Sequence, residues 1–298
     1  MDQEGSDGRM RVALIGAGGR LGAALRRAYA TEFRLTSFDR RQLDLGDAVA
    51  LRSFARGDEF DAVINCAAQT NVDRCETERA EAFAINAEAP GLLAELCVER
   101  GARLIHISTD YVFDGGKQEP YTEDDEPNPI SVYGASKWEG ERRVLGASAE
   151  HLVVRVSWVF GPDRPSFIDW IVQRAREHDR VEAVADKYST PTYTRDIAGM
   201  LRPFVDRTFP GGILHLANAG SCSWREYGQW AIDCCARAGV PLRARTVEAI
   251  TLAEMKTFVA RRPVHTALAT ARYQQLTGHT PPGWHEAVAD YVGEYLAR

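Results

Sequence analysis

The chain opens with a short apolar run, Val12-Ala13-Leu14-Ile15, that breaks at once into Gly16-Ala17-Gly18-Gly19-Arg20-Leu21-Gly22 and then a helix-like stretch from Ala23 to about Ala30. Strand, glycine turn and helix in this order constrain the fold more than any other feature. They set backbone N–H groups and the positive end of a helix where an anion can sit, and glycine lets the backbone approach a pyrophosphate. The commonest dinucleotide fingerprint wants glycine at positions 16, 18 and 21, but position 21 is leucine. Read as G-x-x-G-x-x-G, the glycines are Gly16, Gly19 and Gly22.

The alternation of strand and helix then repeats along the first half of the chain. Strand-length apolar runs at Leu35-Phe38, Ala62-Asn65, Leu104-Ser108 and Leu152-Val156 are separated by helix-length segments that include Ala80-Arg100 and Ser136-Leu145. This predicts an α/β fold, a Rossmann-type doubly wound parallel sheet. Pro90 falls inside the Ala80-Arg100 segment, so a kink is expected there. After Phe160-Gly161-Pro162 the pattern becomes irregular. Helices are expected over Phe167-Glu177, Trp224-Ala238 and Trp284-Leu296, a strand over Ile213-Leu216, and a loop or bent strand at Thr190-Tyr193. The expected organisation is a flexible N-terminus over 1–9, a dinucleotide-binding domain over 10–160, and a smaller C-terminal substrate lobe over 161–298 with segments returning to the sheet.

Tyr133-Gly134-Ala135-Ser136-Lys137 carries the chemistry. A tyrosine and a lysine four residues apart share a helix face. A phenol with a pKa of about 10 is a poor acid-base group at neutral pH, and a neighbouring ammonium is expected to lower that pKa. Ser108-Thr109-Asp110-Tyr111 follows a strand, which puts its hydroxyls at the carboxyl end of the sheet, where open α/β sheets bind ligands. A hydroxyl there, with the phenol of Tyr133, can polarise a carbonyl. Asp39, at the end of the second strand, suits the ribose hydroxyls of NAD, whereas Arg40 and Arg41 suit the extra phosphate of NADP. Both readings stay open. Asp44-Leu45 would edge an adenine pocket, and Asn65-Cys66-Ala67-Ala68 would leave room for a nicotinamide ribose. Trp158 ends a strand on the same side and could stack on a ring. His106 and His215 read as satisfied core residues, and Glu123-Asp124-Asp125-Glu126 as a solvated loop.

A net charge of −6 over 298 residues, without a basic stripe, argues against nucleic-acid binding. No apolar run approaches the ~20 residues of a membrane span. Six cysteines without a C-x-x-C pair or zinc spacing fit a reduced, cytoplasmic setting, and no metal site is indicated.

The elements together resemble the extended short-chain dehydrogenase/reductase superfamily and, more narrowly, the dTDP-4-dehydrorhamnose reductase family. The resemblance runs through G-A-G-G-R-L-G, I-N-C-A-A, I-S-T-D-Y-V-F-D-G, Y-G-A-S-K, V-R-V-S-W-V-F-G, S-T-P-T-Y-T-R-D-I-A and G-I-L-H-L-A-N. It implies an NAD(H)- or NADP(H)-dependent reductase acting on a nucleotide-linked 4-keto-6-deoxy sugar. Tyr133 would be the proton donor, Lys137 its tuning and ribose-holding partner, and Thr109 the third catalytic member. Gly16, Gly18, Gly19, Arg20, Leu21, Gly22, Asp39, Arg40, Asp44, Leu45, Ala67 and Ala68 would hold the cofactor. Thr109, Asp110, Trp158, Thr190 and Thr192 would hold the sugar nucleotide. Two stretches depart from the family pattern. D-Q-x-G-x-P-T is here Asp186-Lys187-Tyr188-Ser189-Thr190-Pro191-Thr192, and R-P-x-N-S-x-L is Arg262-Pro263-Val264-His265-Thr266-Ala267-Leu268. Some relatives dimerise around magnesium, and no carboxylate set maps onto such a site here, so a monomer and a homodimer are both compatible. Two alternatives stand beside this: a reductase of another nucleotide-linked ketosugar, and a non-catalytic NADP-binding regulatory subunit resembling the methionine adenosyltransferase β subunit.

Overall fold

The computed structural model describes residues 8–57 and 59–297. The expectation of a flexible N-terminus falls mostly on residues 1–7, which lie outside the described residues. The first half runs β1 Arg11–Ile15, α1 Arg20–Tyr29, β2 Arg34–Phe38, α2 Ala48–Arg56, β3 Ala62–Asn65, α3 Val72–Thr77, α4 Arg79–Phe83, α5 Ala89–Glu99, β4 Arg103–Thr109, α6 Val132–Ala147 and β5 Leu152–Val156. The second half runs β6 Val159–Phe160, α7 Phe167–Glu177, β7 Val181–Val184, β8 Tyr188–Ser189, β9 Thr192–Tyr193, α8 Thr194–Leu201, β10 Gly212–His215, β11 Cys222–Ser223, α9 Trp224–Arg237, β12 Val247–Ile250, α10 Ala271–Thr277 and α11 Trp284–Tyr291.

Six strands form one sheet in the order β10-β5-β4-β3-β1-β2, every pair parallel. Its inner strands β1, β3, β4 and β5 are buried on both faces, which is why they read as apolar runs rather than alternating ones. In β1, Val12 and Leu14 face the core shared with α1 and α8, while Ala13 and Ile15 face the core under α2 and α5. A third core, around Phe160, Ile171, Tyr227 and Trp284, belongs to the second half. That half also reaches back to the sheet: β10 adds its edge strand, and the Tyr29 hydroxyl on α1 donates to the Ala198 carbonyl on α8 at 2.8 Å.

The kink expected at Pro90 takes the form of a π-helical turn, Ala84–Glu88, between α4 and α5. Pro90 has no N–H for the Asn86 carbonyl, and its ring would strike that carbonyl in a regular α-turn. The widened turn frees Asn86, whose carbonyl lies where a Cβ on Gly140 would stand 2.1 Å away. The π-helical turn and α6 can therefore pack closely only with glycine at position 140. The acidic run is less solvated than expected. Glu123 is buried and accepts the His215 backbone N–H at 2.9 Å, while Asp124 and Asp125 pair with Arg272 and Lys117.

Under the sheet lies an ion pair that carries much of this packing. Glu141 on α6 and Arg155 on β5 meet at 2.7 Å with both side chains almost fully buried, and Ser108 donates to the same carboxylate at 2.5 Å. Removing one member of such a pair leaves the other charged and unpaired in the interior. Glu141→Gln should therefore lower stability by about 3–5 kcal/mol, read as a lower urea midpoint with an unchanged slope.

Candidate active site

The glycine turn closes against the next strand. Gly16 has φ of +82°, and a Cβ on it would meet the Ala67 nitrogen at 2.7 Å. A Cβ on Gly22 would stand 2.2 Å from the Gly16 carbonyl oxygen. Both glycines are thus required by close backbone approach, whereas Gly18 has ordinary room, its nearest neighbour being Asp39 at 3.5 Å. The turn sits at the β1/β3 crossover, where the strand order reverses and open sheets form their ligand crevice. Ala67 and Ala68 border this crevice half-buried, and Leu21 is buried in the first turn of α1.

The charged residues expected at the cofactor are arranged less simply. Arg20 donates to the carbonyls of Val159, Arg164 and Pro165, and Arg164 returns a bond to the Gly18 carbonyl at 2.9 Å. The two arginines therefore tie the glycine turn to the loop after β6. Asp39 Oδ1 accepts the backbone N–H groups of Arg41 and Gln42, which leaves Oδ2 for a ligand. Arg40 is exposed and pairs with Asp44 at 3.3 Å. Leu45 is buried with Leu43 and Leu51, so it braces the pocket wall from behind.

Helix α6 starts at Ser131, whose hydroxyl accepts the Gly134 N–H at 3.2 Å, and this cap places Tyr133 in the first turn. The phenol lies edge-on to Tyr111 with centroids 5.6 Å apart. Gly134 allows that approach, since a Cβ there would stand 2.1 Å from the Tyr111 carbonyl oxygen. The Thr109 hydroxyl interacts with the Tyr133 phenol and favours its ionised form, against the larger effect of burial. Thr109 in turn donates to Asp110 Oδ1 at 3.1 Å and accepts the Tyr111 N–H at 3.2 Å. Tyr133, Thr109 and Asp110 are thus grouped at the end of β4, with Thr109 and Asp110 hydrogen-bonded.

The expectation that Lys137 lowers the Tyr133 pKa is corrected by this geometry. The ammonium position is turned onto β4, 2.7 Å from the Ile107 carbonyl and 3.1 Å from His106 Nε2. Burial pushes the Tyr133 phenol well above its usual value, with the Thr109 bond opposing. Burial brings Lys137 down to about 8, with Glu141 and Cys66 opposing. The i, i+4 spacing brought the two side chains to one face, but the partners on β4 decide where the lysine points. His106, read as a plain core residue, is in fact a direct neighbour of Lys137.

Asp110 joins the sheet to the second half. Its Oδ2 accepts the hydroxyls of Ser189 at 3.1 Å and Thr266 at 2.5 Å, and the side chain is almost fully buried. Burial raises its pKa, while Lys187 and the three hydroxyls pull it back. Any contact of Asp110 with a substrate therefore falls to its backbone. Lys187 is fully buried over the rings of Tyr111, Trp158 and Trp224 and donates to the Pro263 carbonyl at 2.6 Å. Thr190 and Thr192, expected to hold the sugar nucleotide, are also fully buried. Thr190 donates to the Gly220 carbonyl at 2.6 Å and Thr192 to the Thr190 carbonyl at 3.2 Å. Backbone partners claim both hydroxyls, so these residues shape the lobe wall rather than offering it polar groups.

Trp158 differs. Its φ of +36° is the only left-handed backbone on a non-glycine among the described residues, and its buried indole N–H has no partner. Such a backbone costs ~1–3 kcal/mol and an orphaned buried donor adds to it, which fits a residue held ready for a ligand acceptor. Among the described residues no group of three or more acidic, histidine or cysteine side chains could hold a metal, and no helix is long and apolar enough to cross a membrane.

Because Gly134 permits the Tyr111–Tyr133 contact, Gly134→Ala should force the two apart. A thermal unfolding scan should show a loss of about 1–3 kcal/mol.

The sequence profile of the RmlD substrate binding domain family matches residues 10–297. The dTDP-4-dehydrorhamnose reductase of Mycolicibacterium smegmatis is 39% identical, over 95% of this chain and 85% of that protein. The Escherichia coli dTDP-4-dehydrorhamnose reductase is 30% identical over 96% and 98%. Among solved structures, the dTDP-4-dehydrorhamnose reductase of Bacillus anthracis in complex with NADP superposes with a TM-score of 0.89 at 31% identity, covering 96% of this chain and 99% of that one. With a family match over residues 10–297 and relatives 30–39% identical along nearly the whole chain, the chain belongs to the dTDP-4-dehydrorhamnose reductase family.

Proposed function

We propose that this protein reduces a nucleotide-linked 4-keto-6-deoxy sugar, dTDP-4-dehydro-L-rhamnose to dTDP-L-rhamnose, with NADPH as hydride donor and NADH as the alternative that Asp39 favours. The observation that carries this reading is the grouping of Tyr133, Thr109 and Asp110 at the end of β4 beside a glycine cradle that admits no Cβ at Gly16 or Gly22.

A reduced nicotinamide bound along the cradle supplies the hydride. The protein's part is to meet the charge that develops on the carbonyl oxygen. Burial keeps the Tyr133 phenol protonated at neutral pH, the form that a reduction consumes. An alkoxide is far more basic than a phenolate, so the raised phenol still transfers its proton downhill. Thr109 Oγ1 stands beside the phenol, and its hydroxyl shares the oxyanion by turning from Asp110 Oδ1. Lys137 offers a positive charge to the phenolate left behind, once its amine leaves β4. The strained Trp158, with its free indole N–H, is the contact for the sugar nucleotide, and Lys187 behind it supports the aromatic wall.

The wild-type protein should oxidise NADPH only when the keto sugar is present. Tyr133→Phe should lower kcat by roughly 10²–10⁴-fold with the cofactor Kd unchanged; turnover near wild type would remove Tyr133 from the reaction. Arg40→Ala should weaken NADPH about tenfold relative to NADH, measured by fluorescence titration; equal effects on both would release Arg40 from phosphate recognition.

A further inference from the structure

Asn65, His106 and Lys137 are a fully or almost fully buried trio linking β3, β4 and α6. Register sets Asn65 directly beside His106 across the two strands. The Asn65 amide can face only one way, because its Oδ1 accepts the backbone N–H of Ala67 at 3.0 Å. Its NH2 group therefore points at His106 Nδ1, 3.2 Å away. An imidazole nitrogen that accepts has no hydrogen, so in the neutral ring the proton sits on Nε2. Nε2 lies 3.1 Å from Lys137 Nζ. An ammonium has no lone pair, so two donors would face each other if Lys137 were charged. A neutral amine accepts from Nε2–H and still donates to the Ile107 carbonyl.

We infer that His106 is a positioning residue for Lys137: pinned by Asn65 as the Nε2–H tautomer, it holds the lysine as a neutral amine turned onto β4, and the lysine takes up a proton when it leaves for the bound cofactor. The second half of this inference rests on the reading that Lys137 serves the cofactor. The first half does not. Glu141 on α6 and Cys66 beyond β3 are the other titratable groups facing Lys137, and both favour the ammonium. They are outweighed by burial, which also disfavours any charge on His106.

Nitrogen-15 NMR of histidine-labelled, cofactor-free protein tests the first half directly. The expected spectrum of His106 shows a protonated Nε2 and a bare Nδ1 at pH 8 and above, where Lys137 increasingly becomes the neutral amine. A protonated Nδ1, or an imidazolium titrating near 6.5, would overturn it. The signal is assigned by its loss in His106→Gln or, if that variant does not fold, by its contacts with the Asn65 amide. Calorimetric titration of NADP into the protein at pH 8, in buffers of different ionisation enthalpy, tests the second half. Wild type should take up about half a proton, since Lys137 lies at about 8. His106→Gln gives the ammonium an oxygen acceptor, so its uptake should fall near zero. Equal uptake in both proteins would overturn the proton coupling while leaving the tautomer result standing.

Discussion

The structure depends on one buried carboxylate. Taking a charge such as that of Asp110 out of water costs several kcal/mol even after relaxation. That cost is offset only because Thr109, Ser189 and Thr266 converge on it from three separate segments, with Lys187 supplying the opposite charge. Thr109 belongs to the end of the sheet; Ser189 and Thr266 belong to the second half. The chain can satisfy Asp110 only by bringing the lobe to the carboxyl end of β4. The hydroxyl beside the Tyr133 phenol is thereby held by the same contacts that fix the lobe.

This explains where the chain departs from its family's pattern. Lys187, Ser189, His265 and Thr266 stand in the two divergent stretches, and in space they are neighbours. Lys187 donates to Pro263, His265 stacks on Tyr188 at 4.9 Å, and Ser189 and Thr266 share the Asp110 carboxylate. Three of these four residues, Lys187, Ser189 and Thr266, therefore act on one charge.

Much of the fold was legible because it rests on local signals. Parallel strands buried on both faces give apolar runs, so β1 and β3 to β5 read directly with helices α1, α5 and α6, whereas α2 and α3 did not. The second half was harder for a physical reason. Strands β6, β8, β9 and β11 have two residues each, too few to show a period, and they exist only through distant partners. Helix α8 follows β9 without a side-chain cap and gains its burial from α1, so its sequence carries little of its cause. Within the site, Tyr133, Thr109 and Lys137 could be named because their motif is local. Their directions could not. Thr109, Thr190 and Thr192 are alike as sequence, yet one hydroxyl meets the phenol and the other two close on backbone carbonyls. Lys137 shares a helix face with Tyr133 as its spacing requires, but His106 and Ile107 turn its amine elsewhere. The sharpest available hint was His106 itself, a polar residue set between Leu104-Ile105 and Ile107 in a buried strand.

The most direct test is a crystal structure of Tyr133→Phe with NADP and dTDP-L-rhamnose. The sugar's C4 oxygen is expected within hydrogen-bonding distance of Thr109 Oγ1 and in line with the missing phenol oxygen, with the sugar against Trp158 and the Asp110 carboxylate still held by Ser189 and Thr266. A sugar bound with its C4 oxygen on the Asp110 carboxylate or on Lys187, away from Thr109, would contradict this mechanism.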